Sequence, residues 1–185
     1  METDRTFRIH QDEQGHRAGL EALPKQVPET GEALDRVTYS SVNYKDALAG
    51  TGRGKILRSF PLVGGVDAAG IVEQSNDPAY RAGDAVVATG CGLSFDHDGG
   101  YAEYLRLPAT WLTPIPVGLN PRSAMILGTA GLTAALAVHR MQVNGQRPEL
   151  GPILVTGASG GVGSMAIAIL ARLGYEAVAL SGKPE

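Results

Sequence analysis

The feature that most constrains this chain is the stretch "VTGASGGVGS", Val155 to Ser164, which places four glycines within seven residues. The apolar run "ILVT" precedes it and an apolar helical pattern follows it, so the glycines lie at a strand-to-helix junction. Such a turn serves one of two chemistries. Either the backbone closely approaches a phosphate, or a serine is held on a sharp turn as a nucleophile.

The nucleophile interpretation places Ser159 at the centre of "GASGG", which satisfies the pattern G-x-S-x-G. On that fold the catalytic acid and then the histidine follow the serine in the chain. All four histidines of this sequence precede Ser159 instead: His10, His16, His97 and His139. The sequence therefore disfavours a serine nucleophile.

The phosphate interpretation agrees with the spacing, because Gly157, Gly160 and Gly163 recur at every third position. A second strand, "EAVALS", follows the helix, and this strand–turn–helix–strand context is the one that a dinucleotide-binding motif requires. A turn rich in glycine only for close helix packing is the alternative. We predict that the cofactor contacts are made by Ser159, Gly160, Gly161, Val162 and Gly163.

The end of the second strand bears on the choice of cofactor. NAD sites usually carry an acidic residue there to bind the ribose hydroxyls, whereas this chain has Ser181, Gly182 and Lys183. A serine does not repel a 2′-phosphate and a lysine attracts it. The sequence favours NADP(H) over NAD(H), and the alternative is a surface loop with an incidental lysine.

The pattern of the chain changes near residue 120. Residues 1–120 contain short β-like runs separated by turn signals, which predicts a small β-rich barrel or sandwich. Residues 121–185 contain a helical stretch interrupted at Gly128 and Gly131, and then the β-α-β pattern. A complete doubly wound sheet has about six strands. We therefore expect the second domain to be cut short and the 185-residue chain alone to lack catalytic activity.

Composition excludes several classes of protein. The net charge of −3 gives no basic field for nucleic acid, the N-terminal residues lack an apolar signal region, and apolar runs such as "AIAILA" are too short to cross a bilayer. Cys91 is the only cysteine, which excludes an internal disulfide and a cysteine-rich zinc site. We expect a soluble, cytoplasmic protein.

Three further stretches narrow the interpretation: "SSVNYKDALAGTGRGKILRSFPLVGGVDAAG", "HDGGYAEY" and "SAMILGTAGLTAA". With the glycine turn, they resemble the medium-chain dehydrogenase/reductase family, in its zinc-free branch of acrylyl-CoA reductases and quinone oxidoreductases, over nearly all of residues 33–185. The resemblance implies an α/β plus β fold, with an N-terminal GroES-like β-barrel followed by the first β-α-β unit of a Rossmann domain. Zinc enzymes of the family carry Gly-His-Glu where this chain has "GGVDAAG", so we expect no metal site.

The resemblance also implies a reaction, the NADPH-dependent reduction of an activated C=C bond, with acrylyl-CoA to propionyl-CoA favoured. A quinone or enone oxidoreductase and a catalytically inactive fragment are the alternatives. The loop "TGCGLSFDHDGG" departs from the acrylyl-CoA reductase pattern, which leaves the substrate open. Members of the family form homodimers through the far part of the nucleotide-binding domain, and we expect that interface to be missing here.

Site residues follow from the resemblance position by position. Tyr44 lines the cofactor site, and either Tyr44 or a bound water is the candidate proton donor. Thr129 and Thr133 lie along the nicotinamide. Asn43 is a candidate substrate residue or the cap of a helical turn. Three cations are candidates for the phosphates of coenzyme A, or else form a solvated basic loop: Arg53, Lys55 and Arg58.

Overall fold

The computed structural model describes residues 2–182, and the chain divides into two compact units, Met1–Gly128 and Thr129–Glu185. The strands of the first unit are β1 (Thr3–Asp12), β2 (Gly15–Pro24), β3 (Glu32–Tyr39), β4 (Leu62–Val63), β5 (Asp67–Ser75), β6 (Ala85–Thr89), β7 (Tyr104–Pro108) and β8 (Thr113–Pro114). Helix α1 (Tyr44–Thr51) lies between β3 and β4, and helix α2 (Pro121–Val143) begins in the first unit and ends in the second. The second unit continues with β9 (Ile153–Thr156), α3 (Gly161–Arg172) and β10 (Ala177–Leu180).

The first unit opens with a long antiparallel hairpin, which the sequence had indicated only as β-like. Strands β1 and β2 pair along their whole length, and β4 pairs with the other edge of β1. Ile9 from β1 and Leu62 from β4 are buried together with Ala49 of α1 and Leu57. The hairpin and α1 therefore share one apolar cluster.

The larger sheet of the first unit has the strand order β7-β3-β5-β6-β8, and all of its neighbours are antiparallel. Residues Asp67 to Gly70 at the start of β5 are all buried, although a strand with one solvated face would alternate. The central apolar cluster of this unit is formed by Ala33, Ala68, Val72, Val86, Ala88, Leu93, Leu105, Leu107 and Leu112.

By its length and composition, helix α2 could cross a membrane. The sequence analysis had excluded a membrane span because the apolar runs of the sequence are short. The backbone of α2 leaves the helical region at Gly128, where φ is 47° and ψ is −154°, so the predicted break at Gly128 is confirmed. Gly131 lies in the helical part and does not interrupt it. The portion after Gly128 rises only about 22 Å, compared with roughly 30 Å for the hydrocarbon core of a bilayer.

The second unit confirms the predicted β-α-β pattern. Strands β9 and β10 are parallel and in register from Ile153↔Ala177 to Thr156↔Leu180, and α3 connects them. Helix α3 begins at Gly161, inside the glycine-rich stretch that the apolar helical pattern follows. One face of the strands packs in a cluster centred on Val138, Leu170 and Tyr175, while the other face leaves Leu154, Val178 and Leu180 exposed.

A carboxyl group without a hydrogen-bond partner lies inside the first unit. Asp35 of β3 is 1% exposed, and within residues 2–182 neither of its carboxyl oxygens has a hydrogen-bond partner. A register irregularity between Leu34 and Asp35 keeps both residues buried. Burial raises the pKa of Asp35 to about 7, although the neighbouring Arg36 charge partly opposes this shift.

We predict that this group makes the first unit less stable as the pH rises. The unfolded chain loses the Asp35 proton near pH 4 and the folded chain near pH 7. Because the folded state holds the proton across this window, the free energy of unfolding falls between those pH values, by on the order of 1–4 kcal/mol. Asp35→Asn should flatten this fall, and urea unfolding followed by Trp111 fluorescence measures it.

Glu13→Gln is the matched control, because Glu13 is an exposed carboxyl in the β1–β2 turn. Its unfolding free energy should depend on pH as that of the unaltered chain does. If Asp35→Asn and the unaltered chain showed the same pH dependence between pH 4 and pH 8, Asp35 would not titrate as its burial requires.

Candidate cofactor and active sites

The glycine turn connects β9 to α3, and two of its glycines are required for different reasons. Gly157 has φ of +62°, a left-handed conformation that residues with a Cβ rarely adopt. Gly163 lies in the first turn of α3, and a Cβ there would be 2.3 Å from the Gly157 carbonyl oxygen. The turn therefore closes through direct contact of its own backbone.

This closure presents the start of α3 as an anion site. Gly160 is the N-cap of the helix, and Gly161 and Val162 are exposed in its first turn. The first N–H groups of an α-helix have no partner within the helix, and the helix dipole adds positive potential at the same end. This arrangement fits the pyrophosphate of a dinucleotide. The fit supports the prediction made for Ser159 to Gly163.

The ends of the two parallel strands meet beside this turn. The Ala158 N–H donates to the Leu180 carbonyl oxygen at 3.1 Å, and the Ser159 and Ser181 Oγ atoms lie 3.0 Å apart. The structure therefore brings together one residue from the turn and one from the strand end that the sequence had assigned to the cofactor. Gly182 follows in the described chain, whereas Lys183 lies outside the described residues.

The two candidate threonines of α2 occupy successive turns of its second part. Thr133 Oγ1 donates to the Thr129 carbonyl oxygen at 2.7 Å, which is a common bond for a threonine inside a helix. Thr133 is exposed and Thr129 is half-buried. Their predicted position along the nicotinamide remains a prediction.

In the first unit, polar groups gather around the buried carboxylate of Asp67. Asp67 begins β5 and is fully buried, and its Oδ2 atom accepts hydrogen bonds from Ser41 Oγ and, at 2.9 Å, from Asn43 Nδ2. The Asp67 carbonyl oxygen accepts a third bond, from Ser40 Oγ at 2.6 Å. A Cβ at Gly128 would lie 3.0 Å from Asp67 Oδ2, so this glycine approaches the cluster closely.

Asn43 connects this cluster to α1. It is the N-cap of the helix, as one of its two predicted roles required, and its backbone N–H donates to Asp46 Oδ2 at 2.7 Å. The other Asp46 oxygen accepts the Val66 N–H at 3.2 Å, next to Asp67 in the chain. Tyr44 follows the cap as the first helical residue, and its side chain is 81% exposed. The helix start is thus fixed while the Tyr44 phenol faces solvent.

Three residues of this cluster were missed in the sequence: Ser41, Asp67 and Tyr101. The Tyr101 hydroxyl donates to the Ser41 carbonyl oxygen at 3.1 Å, and its ring packs against Gly65, where a Cβ would be 2.7 Å away. Burial raises the pKa of the Tyr101 phenol, and the Asp46 carboxylate adds to the shift. The one signal of this cluster in the sequence was an acidic residue, Asp67, within the apolar stretch "GGVDAAG".

The three candidate cations lie after α1, and all are exposed. The Arg58 guanidinium lies over the Phe95 ring at 4.2 Å, and its backbone N–H donates to the Phe95 carbonyl oxygen at 2.6 Å. Arg53 and Lys55 form no ion pair with any of the described residues. Within residues 2–182, no three His, Cys, Asp or Glu side chains are grouped so that they could hold a metal ion.

Comparison with known proteins identifies relatives of this chain. Residues 29–117 match the alcohol dehydrogenase GroES-like domain. The putative quinone oxidoreductase YhfP of Bacillus subtilis is 50% identical over 161 residues, which cover 87% of this chain and 48% of that protein. The acrylyl-CoA reductase AcuI of Ruegeria pomeroyi is 48% identical over 181 residues, which cover 96% of this chain and 54% of that protein.

Solved structures agree with these relatives. The yhdH oxidoreductase from Salmonella enterica in complex with NADP has a TM-score of 0.92 at 46% identity, covering 97% of this chain and 55% of that one. Bacillus subtilis yhfP with NAD bound has a TM-score of 0.92 at 41% identity, covering 100% of this chain and 56% of that one.

The chain is therefore similar along nearly its whole length to these oxidoreductases, and residues 29–117 of its first unit match the alcohol dehydrogenase GroES-like domain. The predicted fold class, a GroES-like domain followed by the start of a Rossmann domain, is confirmed by the same matches. The chain spans about half the length of the curated relatives it matches.

We predict that Gly163→Ala destabilises the second unit by roughly 1–3 kcal/mol, because the added methyl group would overlap the Gly157 carbonyl. Gly161→Ala is the control in the same helical turn, since its Cβ would meet Ala130 at an ordinary 3.4 Å. Hydrogen exchange of the Ala158 amide, which bonds to Leu180, reports on this unit. Equal exchange rates in the two variants would show that the turn does not depend on close contact at Gly163.

Proposed function

We propose that this chain supplies the GroES-like domain and the first β-α-β unit of an NADPH-dependent oxidoreductase that reduces the activated C=C bond of acrylyl-CoA. The observation that carries the proposal is the 48% identity to the Ruegeria pomeroyi acrylyl-CoA reductase, which extends through both units. A quinone or enone oxidoreductase is the second candidate, because YhfP, named as a putative quinone oxidoreductase, is equally similar. The protein would be a soluble enzyme of the cytoplasm, and a homodimer at full length.

The residues of the second unit suit the proposed cofactor. The glycine turn would bind the pyrophosphate through the first N–H groups of α3, and Thr129 and Thr133 would lie along the nicotinamide. The chemistry that NADPH supplies is transfer of a hydride to the β-carbon of the substrate. A dinucleotide cofactor is supported by the relatives with NADP and with NAD bound, which do not agree on the 2′-phosphate.

The proposed roles in the first unit concern the substrate. Tyr44 presents an exposed phenol beside a fixed helix start, so its hydroxyl could deliver a proton to the α-carbon, directly or through a water. Asn43 Nδ2 already donates to Asp67 Oδ2 at 2.9 Å and to Ser41 Oγ at 3.2 Å, so a contact with the substrate would use the amide oxygen of Asn43. Arg53, Lys55 and Arg58 form an exposed basic segment that would attract the phosphates of coenzyme A.

Measurement of NADPH oxidation by the full-length gene product tests the reaction. We expect kcat/KM for acrylyl-CoA to exceed that for a small benzoquinone by at least about tenfold, a difference of roughly 1.4 kcal/mol. The reverse order would favour the quinone reductase, and no oxidation with either substrate would contradict both candidates. The 185-residue chain, assayed in parallel, should show no turnover if the remainder of the nucleotide-binding domain is required.

The cofactor preference generates a second prediction. A hydrogen bond to a charged group contributes roughly 1.5–3 kcal/mol, so each contact of Ser181 or Lys183 with a 2′-phosphate corresponds to about a tenfold to hundredfold preference for NADPH. Ser181→Asp places a like charge against the phosphate and an acceptor near the ribose hydroxyls of NADH. Its ratio of kcat/KM for NADPH over NADH should therefore invert.

Two milder variants separate charge from hydrogen bonding. Ser181→Ala removes the hydroxyl without adding a charge and should only reduce the preference. Lys183→Ala should weaken NADPH and leave NADH nearly unchanged, and added salt should partly reproduce its effect. A full-length enzyme that uses both cofactors equally, or a Ser181→Asp variant with an unchanged ratio, would show that the strand end does not select the cofactor.

A further inference from the structure

We propose that Arg58 and Phe95 form a stacked phosphate-binding site for the coenzyme A part of the substrate, in which the Phe95 ring positions the guanidinium that binds the phosphate. The inference deepens the proposed function and rests on it for the identity of the ligand. It separates Arg58 from the other two cations of its segment and gives Phe95 a positioning role. The observation behind it is the position of the Arg58 guanidinium carbon, 4.2 Å from the centre of the Phe95 ring.

The two residues come from separate loops that a backbone hydrogen bond joins. Arg58 lies between α1 and β4, and Phe95 lies between β6 and β7. The Arg58 N–H donates to the Phe95 carbonyl oxygen at 2.6 Å. Because this bond already holds the two loops together, the contact between the side chains does not have to do so.

Both loops are anchored in the apolar core close to the pair. Leu57, which precedes Arg58, is 8% exposed and belongs to the apolar cluster of the hairpin and α1. Leu93 is 2% exposed and belongs to the central cluster of the first unit. The Phe95 N–H donates to the Gly92 carbonyl oxygen at 3.0 Å, which closes a tight turn around Leu93. Buried side chains therefore fix the backbone on both sides of the stack.

The stack leaves the donors of the guanidinium available to a ligand. The ring attracts the charge of Arg58 through its π electrons and occupies none of the five N–H donors of the group. Arg58 is exposed and forms no ion pair with any residue from 2 to 182. A phosphate can accept two parallel N–H bonds from such a planar fork. The arrangement therefore suits a phosphate group.

Arg53 and Lys55 lack this support. In the part of the chain that the structure describes, neither lies over an aromatic ring. A long side chain that nothing holds loses rotamer freedom when it binds a ligand, whereas Phe95 already restricts the Arg58 side chain. We therefore expect Arg53 and Lys55 to attract the phosphates by charge alone, and Arg58 to make the direct contact.

Calorimetric titration of the full-length gene product tests the site with two probes, coenzyme A and pantetheine, which share the thiol arm and differ in the phosphates. Saturating NADP⁺ keeps coenzyme A out of the dinucleotide site. Arg58→Ala should weaken coenzyme A roughly tenfold or more and change pantetheine by less than about twofold, as expected for a bond between charged groups. Arg58→Lys keeps the charge without the planar fork and should restore only part of the affinity.

Variants of Phe95 test its positioning role. Phe95→Leu removes the ring but keeps an apolar side chain, and it should weaken coenzyme A roughly threefold, the size of an exposed cation–π contact. Phe95→Tyr keeps the ring face and should bind as the unaltered protein does. Added to Arg58→Ala, Phe95→Leu should have no further effect, because the ring acts only through the guanidinium. Equal weakening of pantetheine by Phe95→Leu would show that the ring only supports its loop.

Arg122→Ala is the matched control. Arg122 is another exposed arginine of the first unit, and it forms no ion pair with any described residue. Its removal takes away the same charge and should leave the affinity for coenzyme A within about twofold. Equal weakening by Arg58→Ala and Arg122→Ala would show that coenzyme A responds to the net charge of the protein and not to a site at Arg58.

Turnover separates this inference from the proposal on which it rests. The acrylyl thioester of N-acetylcysteamine carries the reacting C=C bond without phosphates, so Arg58→Ala should raise KM for acrylyl-CoA and leave kcat/KM for the short thioester unchanged. Reduction of acrylyl-CoA that Arg58→Ala does not affect would overturn the site and leave the proposed function in place. Binding of coenzyme A that depends on Arg58, without reduction of either thioester, would support the site and contradict the reductase. Coenzyme A bound no better than pantetheine would overturn the site.

Discussion

The first unit is organised around the requirement that the buried carboxylate of Asp67 be hydrogen-bonded. A buried polar or charged group without partners costs several kcal/mol, so its donors must be delivered by the fold. Ser41 and Asn43 are those donors, and both lie in the connection between β3 and α1. Asn43 also caps α1, so the exposed position of Tyr44 depends on a contact with β5 that is distant in sequence.

In the second unit the main constraint is the close packing of the glycine turn, which involves no charged group. Its turn closes because Gly157 takes a left-handed conformation and Gly163 allows its own helix to approach the Gly157 carbonyl. The two units therefore tolerate different changes. The Asp67 cluster depends on the number and direction of hydrogen bonds, whereas the turn depends on the absence of a few atoms. An exchange that keeps the hydrogen bonds preserves the first, but at Gly163 no residue with a side chain is conservative.

Local signals explain how far the sequence predicted this structure. The break of α2 at Gly128, the cap at Asn43 and the β-α-β unit all depend on residues near each other in the chain, and the structure confirms them. The full extent of the β1–β2 hairpin was missed, because its strands are polar and only half-buried. Asp35 and Tyr101 were missed for a related reason. Their burial results from strand pairing and loop contacts at long range, which no local pattern encodes.

The fold alone does not determine which substrate or which cofactor a protein of this architecture uses. Relatives named as a quinone oxidoreductase and an acrylyl-CoA reductase share this architecture at about 50% identity, and solved neighbours hold NAD in one case and NADP in another. A turn that binds pyrophosphate through its backbone cannot discriminate between these cofactors, because the group it contacts is common to both. Under the proposed function, selection between the cofactors falls to the side chains that reach the 2′-phosphate. In the described chain the Oγ atoms of Ser159 and Ser181 lie 3.0 Å apart, at the point where the two parallel strands end together.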